Sequence, residues 1–203
     1  MSENLASDSY KSISKPSMGI YKELGSKFLS FAYPVSSEEE IKEIISTLKK
    51  EHFSARHHCY AYRLGITGET WRANDDGEPS SSAGRPILGQ LLSNELSDIL
   101  VVVVRYFGGT KLGIPGLIRS YKSATIDAIK NGEIIIKIAS ETICFNFDYT
   151  NIEPVMKLLK AFDTNVIKQE FDLRCNFFIS IRETQYQNLL TALEEIEGLI
   201  ITS

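Results

Sequence analysis

Paired cysteines, long apolar runs and a strong surplus of one charge are all missing from this sequence. Its three cysteines, Cys59, Cys144 and Cys175, are odd in number and form no CxxC pair. That excludes a secreted disulfide framework and points to reduced thiols in the cytosol. The longest uninterrupted apolar run, Ile99 to Val104, falls far below the ~20 residues of a membrane span. The start, Met1 to Tyr10, lacks the basic-then-apolar layout of a secretion signal. A cytoplasmic protein with no membrane partner is expected. Histidine is scarce, with three residues, and no His-x-His or HExxH spacing occurs, so no metal is expected. The formal charge of −4 argues against wholesale coating of nucleic acid, though it leaves room for a local basic patch. What remains is ordinary globular material: 203 residues, 43% hydrophobic and 24% charged. A chain of this size can bury a core without a metal, disulfide or cofactor, and none is expected.

Charge and motifs divide the chain unevenly. Residues 1–140 carry 17 basic and 16 acidic side chains, whereas residues 141–203 carry 5 and 10. All three histidines and the single Trp71 lie in the first part. Met18 to Pro34 alternates around Gly25-Ser26 as a hairpin would. Ser37-Glu38-Glu39-Glu40 reads as a capping box ahead of Ile41, Ile44, Ile45 and Leu48 at helical spacing. His58–Leu64 alternates as a strand, with a second strand ending near Arg72. Asp75-Asp76-Gly77-Glu78-Pro79 has turn chemistry, and Ser81 or Ser82 is expected to cap a helix running to Leu92. Ile99–Tyr106 reads as a buried strand, and Pro115 opens a helix that Asn131-Gly132 closes. From about Glu141 the order becomes strand, helix capped by Thr150, two strands, helix capped by Thr184, and a last strand Leu199–Thr202. That βαββαβ order is ferredoxin-like. The expected organisation is a flexible N-terminus (1–17), a β-sheet domain with helices packed on one face (18–137) and the ferredoxin-like domain (138–203), an α+β protein.

Two constellations can carry chemistry. The first joins Arg56-His57-His58-Cys59 to Asp75-Asp76-Gly77-Glu78-Pro79-Ser80. Neighbouring residues on a strand point to opposite faces, so His57 and His58 do not easily serve one metal. Cys59 shares a face with His57, which suggests a nucleophile, although a small buried thiol in the core is the commoner fate. Cys144 and Cys175 sit on apolar alternations and are expected in the core. The second constellation is Arg105-Tyr106-Phe107-Gly108-Gly109-Thr110-Lys111-Leu112-Gly113, followed by a helix. A strand, a glycine loop and a helix N-terminus together make an anion site out of bare N–H groups and the dipole. It matches neither GxxxxGK[ST] nor GxGxxG. A tight turn needing glycine freedom accounts for it equally well.

Together, Gly25-Ser26-Lys27-Phe28, Arg56–Arg63, Asp75–Ser80 running to Ala83-Gly84-Arg85-Pro86-Ile87-Leu88, and Arg105–Gly113 resemble the Impact/YigZ family in order and spacing across residues 19–130. The acidic tail resembles the second domain of its bacterial two-domain members. Ile114-Pro115-Gly116 departs from the small residues and second glycine more usual there. The resemblance implies a first domain like domain IV of elongation factor G and a second like another small α/β domain of that factor. It also implies a field of action. Eukaryotic members regulate translation initiation by competing for the co-activator of a stress-activated kinase. That role rests on an RWD-type module not found in this sequence, so what carries over is a link to translation or nucleic acid.

Two functional classes follow. In the first, the chain is a binding protein for RNA, the ribosome or a translation factor. Arg56, Arg63, Arg85, Arg105, Lys111 and Arg119 would neutralise phosphates, Gly108 and Gly109 would offer backbone amides, and His57 and Tyr60 would stack or hydrogen-bond. Asp76 and Glu78 would orient the basic groups. In the second, an enzyme (hydrolase or transferase) would act on a phosphorylated or nucleotide substrate, with Asp76 or Glu78 as general base and His57 carrying the proton. A closed pocket around His57 and Asp76 would favour the enzyme, an open basic groove the RNA.

Overall fold

The computed structural model describes residues 8–202, which form two compact units. One spans Tyr10–Lys137; the other runs from Ile138 onward and includes Asp8 and Ser9. Among the described residues no helix is long and apolar enough to cross a membrane.

In the first unit, β1 (Ser9–Ile13) is followed by the hairpin β2 (Ser17–Glu23) and β3 (Ser26–Pro34). Leu24 and Gly25 both have positive φ, the two-residue turn that matches strand twist. Helix α1 (Glu38–Glu51) is capped by Ser37, whose Oγ accepts the Glu40 amide at 3.2 Å. Its three leading glutamates and trailing Lys49 and Lys50 suit the helix dipole. Then come β4 (His57–Leu64), β5 (Thr70–Asn74), α2 (Gly84–Ser93), β6 (Ile99–Tyr106), α3 (Gly113–Asn131) and β7 (Ile134–Ile138). The five-stranded sheet has the antiparallel order β2-β3-β6-β4-β5, and β1 pairs with β7 as a separate ribbon.

Helices cover both faces of this sheet rather than the one expected. Ile99, Val101 and Val103 pack with α2 and α3 residues such as Ile87, Leu91, Leu117 and Tyr121. Leu100, Val102 and Val104 pack with Ile41 and Leu48 of α1. The reason lies in β6, which is apolar on both sides and so must be covered on both. Part of the segment anticipated as a flexible lead, 1–17, is strand: Ser12 and Ile13 are fully buried, while residues 1–7 lie outside the described residues.

The second unit follows βαββαβ order: β8 (Ser140–Phe147), a 3-10 turn at Tyr149–Asn151, α4 (Ile152–Ala161), β9 (Asn165–Phe171), β10 (Cys175–Arg182), α5 (Glu183–Glu194) and β11 (Ile200–Ile201). The sheet order β11-β8-β10-β9 is the ferredoxin-like one, antiparallel throughout. Phe145, Phe147 and Phe177 stack at its centre with Ile179, Val155 and Leu189. Cys175 is buried there, whereas Cys144 is half-buried on the other side of β8, because its place in the alternation points it away from the helices.

Candidate ligand site around the Asp75–Pro79 loop

Strand register sets the first row of the site. Arg105 on β6 lies opposite Phe28 on β3 and His57 on β4, so all three side chains emerge on the face covered by α2 and α3. The turn after β5 then folds over this end of the sheet, and its three carboxylates divide the work.

Asp75 caps α2 from a distance. Its Oδ1 accepts the amides of Ala83 at 3.0 Å and Gly84 at 2.8 Å, and its Oδ2 accepts that of Ser81 at 2.8 Å. The expected serine cap is therefore replaced: Ser82 is buried and turns its hydroxyl to Pro79 O at 2.6 Å. Asp76, with positive φ, sends its carboxylate away from Arg105. One oxygen accepts the His58 amide at 2.7 Å and the other meets Lys49 Nζ at 3.0 Å. His57 Nδ1 sits 2.9 Å from the backbone oxygen of Asp76 rather than from its carboxylate.

Glu78 closes the site from below. Its Oε1 receives Arg105 Nη1 at 2.6 Å and the Tyr121 hydroxyl at 2.8 Å. The two charged side chains are only 4% and 7% exposed. The Arg105 guanidinium also lies 5.5 Å from the Phe28 ring centre and 5.6 Å from that of Phe107. Cys59 is fully buried beneath, its thiol on Asp75 O at 3.0 Å and on Tyr121 Oη at 3.3 Å. Burial pushes the Cys59 thiol and the Tyr121 phenol well above their usual values, with nearby carboxylates adding to it. A thiol held protonated in this way is a poor nucleophile, so Cys59 packs rather than reacts. His58 is buried on the opposite face of β4, and desolvation lowers its pKa against the pull of Asp76.

Above Glu78 and Arg105 opens a pocket of about 260 Å³, walled by Pro79, Phe107, Lys111, Leu112, Gly113, Ile114 and Leu117. Here β6 ends, the glycine loop turns, and α3 begins. The close approach of hairpin and loop requires Gly108, since a Cβ there would fall 1.9 Å from the Gly25 carbonyl carbon. Ser26 Oγ accepts the Gly108 amide at 3.2 Å. Gly109 and Gly113 both have positive φ.

Arg105, Gly108, Gly109 and Lys111 thus stand together, with His57 beside Arg105 on the same row. Arg119 is on α3, mostly exposed, 3.5 Å from Glu23. The other expected residues are spread elsewhere. Arg63 donates to the carbonyls of Leu96 and Thr67 at 2.7 and 2.6 Å, at the far end of β4. Arg85 lies over the Trp71 ring at 5.1 Å. Tyr60 faces α1, beside Lys42, Lys49 and Lys50, in an open groove on the opposite side of the sheet. Arg56 is exposed just before β4. Sequence reasoning noted Phe107, with Tyr106, as an aromatic beside the basic loop, and passed over Ile114 and Tyr121 as site residues. An apolar residue directly after the glycine loop was the available signal for Ile114. Nothing in the spacing announced Tyr121, because its bond to Glu78 spans 43 positions. Among the described residues no group of three or more His, Cys, Asp or Glu is placed to hold a metal.

The sequence profile of the Impact N-terminal domain matches residues 24–129. An IMPACT family member of Haemophilus influenzae is 31% identical over 84% of this chain and 84% of its own length. The family member YvyE of Bacillus subtilis is 40% identical over 62% of this chain and 58% of its own. YigZ of Escherichia coli is 30% identical over 72% of each. A crystal structure described only as a hypothetical protein superposes over 96% of both chains, with a TM-score of 0.71 and 24% identity, which supports the fold.

Proposed function

The chain belongs to the Impact family, and we propose that it is a translation-linked binding protein whose loop face, Arg105 to Arg119, contacts RNA, the ribosome or a translation factor. The link to translation is taken from the eukaryotic members that the motifs resemble. The contact surface is read from this chain, and one observation carries it: Arg105, Lys111 and the N-terminus of α3 converge on a pocket open to solvent. Backbone N–H groups at a helix start, a lysine at the rim and an exposed phenylalanine are the elements of a single-strand contact. Glu78 holds Arg105 in place instead of meeting phosphate itself. Arg63 has its guanidinium on backbone carbonyls, and that arrangement favours a structural role for it.

The enzyme reading has less behind it. His57 and the Asp76 carboxylate do not face each other, and neither lines the pocket. The decisive measurement is co-sedimentation of the protein with ribosomes and with free RNA at about 50 and 200 mM salt. Binding is expected to fall steeply between the two, as counterion release requires. Lys111→Ala and Arg119→Ala are each expected to weaken it and to flatten the salt dependence by about one phosphate contact. Unchanged affinity in both variants removes the loop face from the interface.

A further inference from the structure

Arg105 is only half used by its partner. It is more than nine-tenths buried, gives Nη1 to Glu78, and keeps its Nε buried with no hydrogen-bond partner. On a guanidinium, Nε and Nη2 form one edge, the edge that grips an oxyanion through two parallel bonds. Glu78 has taken the other side, so this edge is the one left over. Buried donors are nearly always satisfied, and the described residues supply nothing for this one.

The pocket beside it has the matching features. Arg105 lines it, and so does Gly113, the first residue of the 19-residue α3. That helix start has no side-chain cap and no acidic residue in its first turn. Pro115 has no N–H, so the amides of Gly113 and Ile114 and the positive dipole end are what this start offers an anion. Lys111 stands exposed at the rim. Glu78 also lines the pocket, its carboxylate engaged by Arg105 and Tyr121; the other walls are apolar, and two of them, Phe107 and Ile114, are 56% and 52% exposed. An aromatic ring already stacked on a guanidinium, left open on its outer side, is a platform for a flat ring. At about 260 Å³ the space falls just below the usual range for a small-molecule site. It suits one nucleotide and not a tract of RNA.

We propose that this pocket binds a single nucleoside 5′-monophosphate, its phosphate held by the free edge of Arg105, Lys111 and the first amides of α3, and its base laid against Phe107. The unit comes as the phosphorylated 5′ end of an RNA strand or as a free nucleotide. Glu78 and Tyr121 are positioning residues: through the shared Glu78 Oε1 they hold the guanidinium at the pocket wall. The proposal sharpens the RNA reading above, on which it rests for its choice of a nucleotide.

Two short single-stranded RNAs of one sequence, one 5′-phosphorylated and one with a 5′-hydroxyl, test it by fluorescence anisotropy on the full chain, with adenosine 5′-monophosphate as competitor. The phosphorylated strand is expected to bind about tenfold tighter, and the mononucleotide to remove that advantage. Phe107→Ala, a change at a half-exposed side chain, is expected to weaken both strands, the phosphorylated one more, and so to narrow the preference between them. Equal binding of the two strands without competition overturns the pocket while sparing the wider RNA reading. If neither strand binds but adenosine monophosphate does, in a manner lost with Phe107→Ala, the pocket stands as a free-nucleotide site and the RNA reading falls. If none of the three binds, both are overturned.

Discussion

The two units solve the problem of a core in opposite ways. In the unit from Ile138 onward the buried cluster is aliphatic and aromatic almost without exception: three stacked phenylalanines, isoleucines, leucines and one thiol. Its buried charge is Asp8, tied to Arg182 and Thr184. The unit Tyr10–Lys137 buries His58, Arg105, six serines and a threonine alongside its apolar residues, and adds Glu78 to them. A buried ion pair contributes little net stability, since desolvating both charges offsets their attraction. Its presence in one unit and not the other is in keeping with the ligand site proposed there. Trp71 is the only tryptophan and lies in the first unit, so its fluorescence reads that unit alone, while circular dichroism reads both.

The sharpest way to break this contrast is Glu78→Ala. It strands the Arg105 charge in a buried site, and the tryptophan-reported transition should lose about 3–5 kcal/mol. A loss below about 1 kcal/mol would mean that water reaches Arg105 and that the pair is no part of the core. Leu189→Ala is the counterpart in the other unit, where the buried leucine leaves a cavity. The expected cost is about 2–5 kcal/mol, read by circular dichroism, with the tryptophan transition and RNA binding unmoved. Loss of RNA binding in that variant would show that the second unit contributes to the interface.

Acid should separate the units more gently. His58 has its pKa lowered by burial, with Lys49 and His52 reinforcing and Asp76 opposing. A histidine kept neutral in the fold stabilises it fully above its unfolded value near 6.5 and progressively less as pH falls below that. Asp8 has its pKa lowered by the Thr184 hydroxyl and by Arg182, against the cost of its burial. Its contribution is complete above the unfolded value near 4 and fades as pH falls through the lowered one. The tryptophan signal should therefore lose stability first, from about pH 6.5 downward, and His58→Gln should flatten that limb. Asp8→Asn should flatten only the later one. A single acid transition shared by both units and untouched by either variant would erase the distinction.

Local pattern reached far into this fold. The hairpin about Gly25-Ser26, the capped helix after Ser37, the apolar strand Ile99–Tyr106 and strand Asn165–Phe171 are legible because each is stated by residues within a few positions of one another. Periodicity alone also gives the ferredoxin-like order. What it missed depends on distant partners. β1 and β7 stabilise each other across more than 120 positions. Thr184 resembles an N-cap, yet it donates to Asp8 while α5 starts at Glu183 without a side-chain cap. In the site, the glycine loop and its lysine were visible as an anion motif. The strand register placing His57 beside Arg105 was not, nor was the buried grip of Glu78, because both need the sheet assembled. Arg63 looked like one more phosphate ligand until Leu96 and Thr67 claimed it.

Asp75 has a dynamic consequence. One carboxylate collects the amides of Ser81, Ala83 and Gly84, so the segment carrying Pro79 and the first turn of α2 cannot come loose one bond at a time. Their opening is a joint event, and amide hydrogen exchange at Ser81, Ala83 and Gly84 should proceed as one slow class with a shared opening free energy. The wall of the pocket therefore belongs, on the exchange timescale, to the helix behind it.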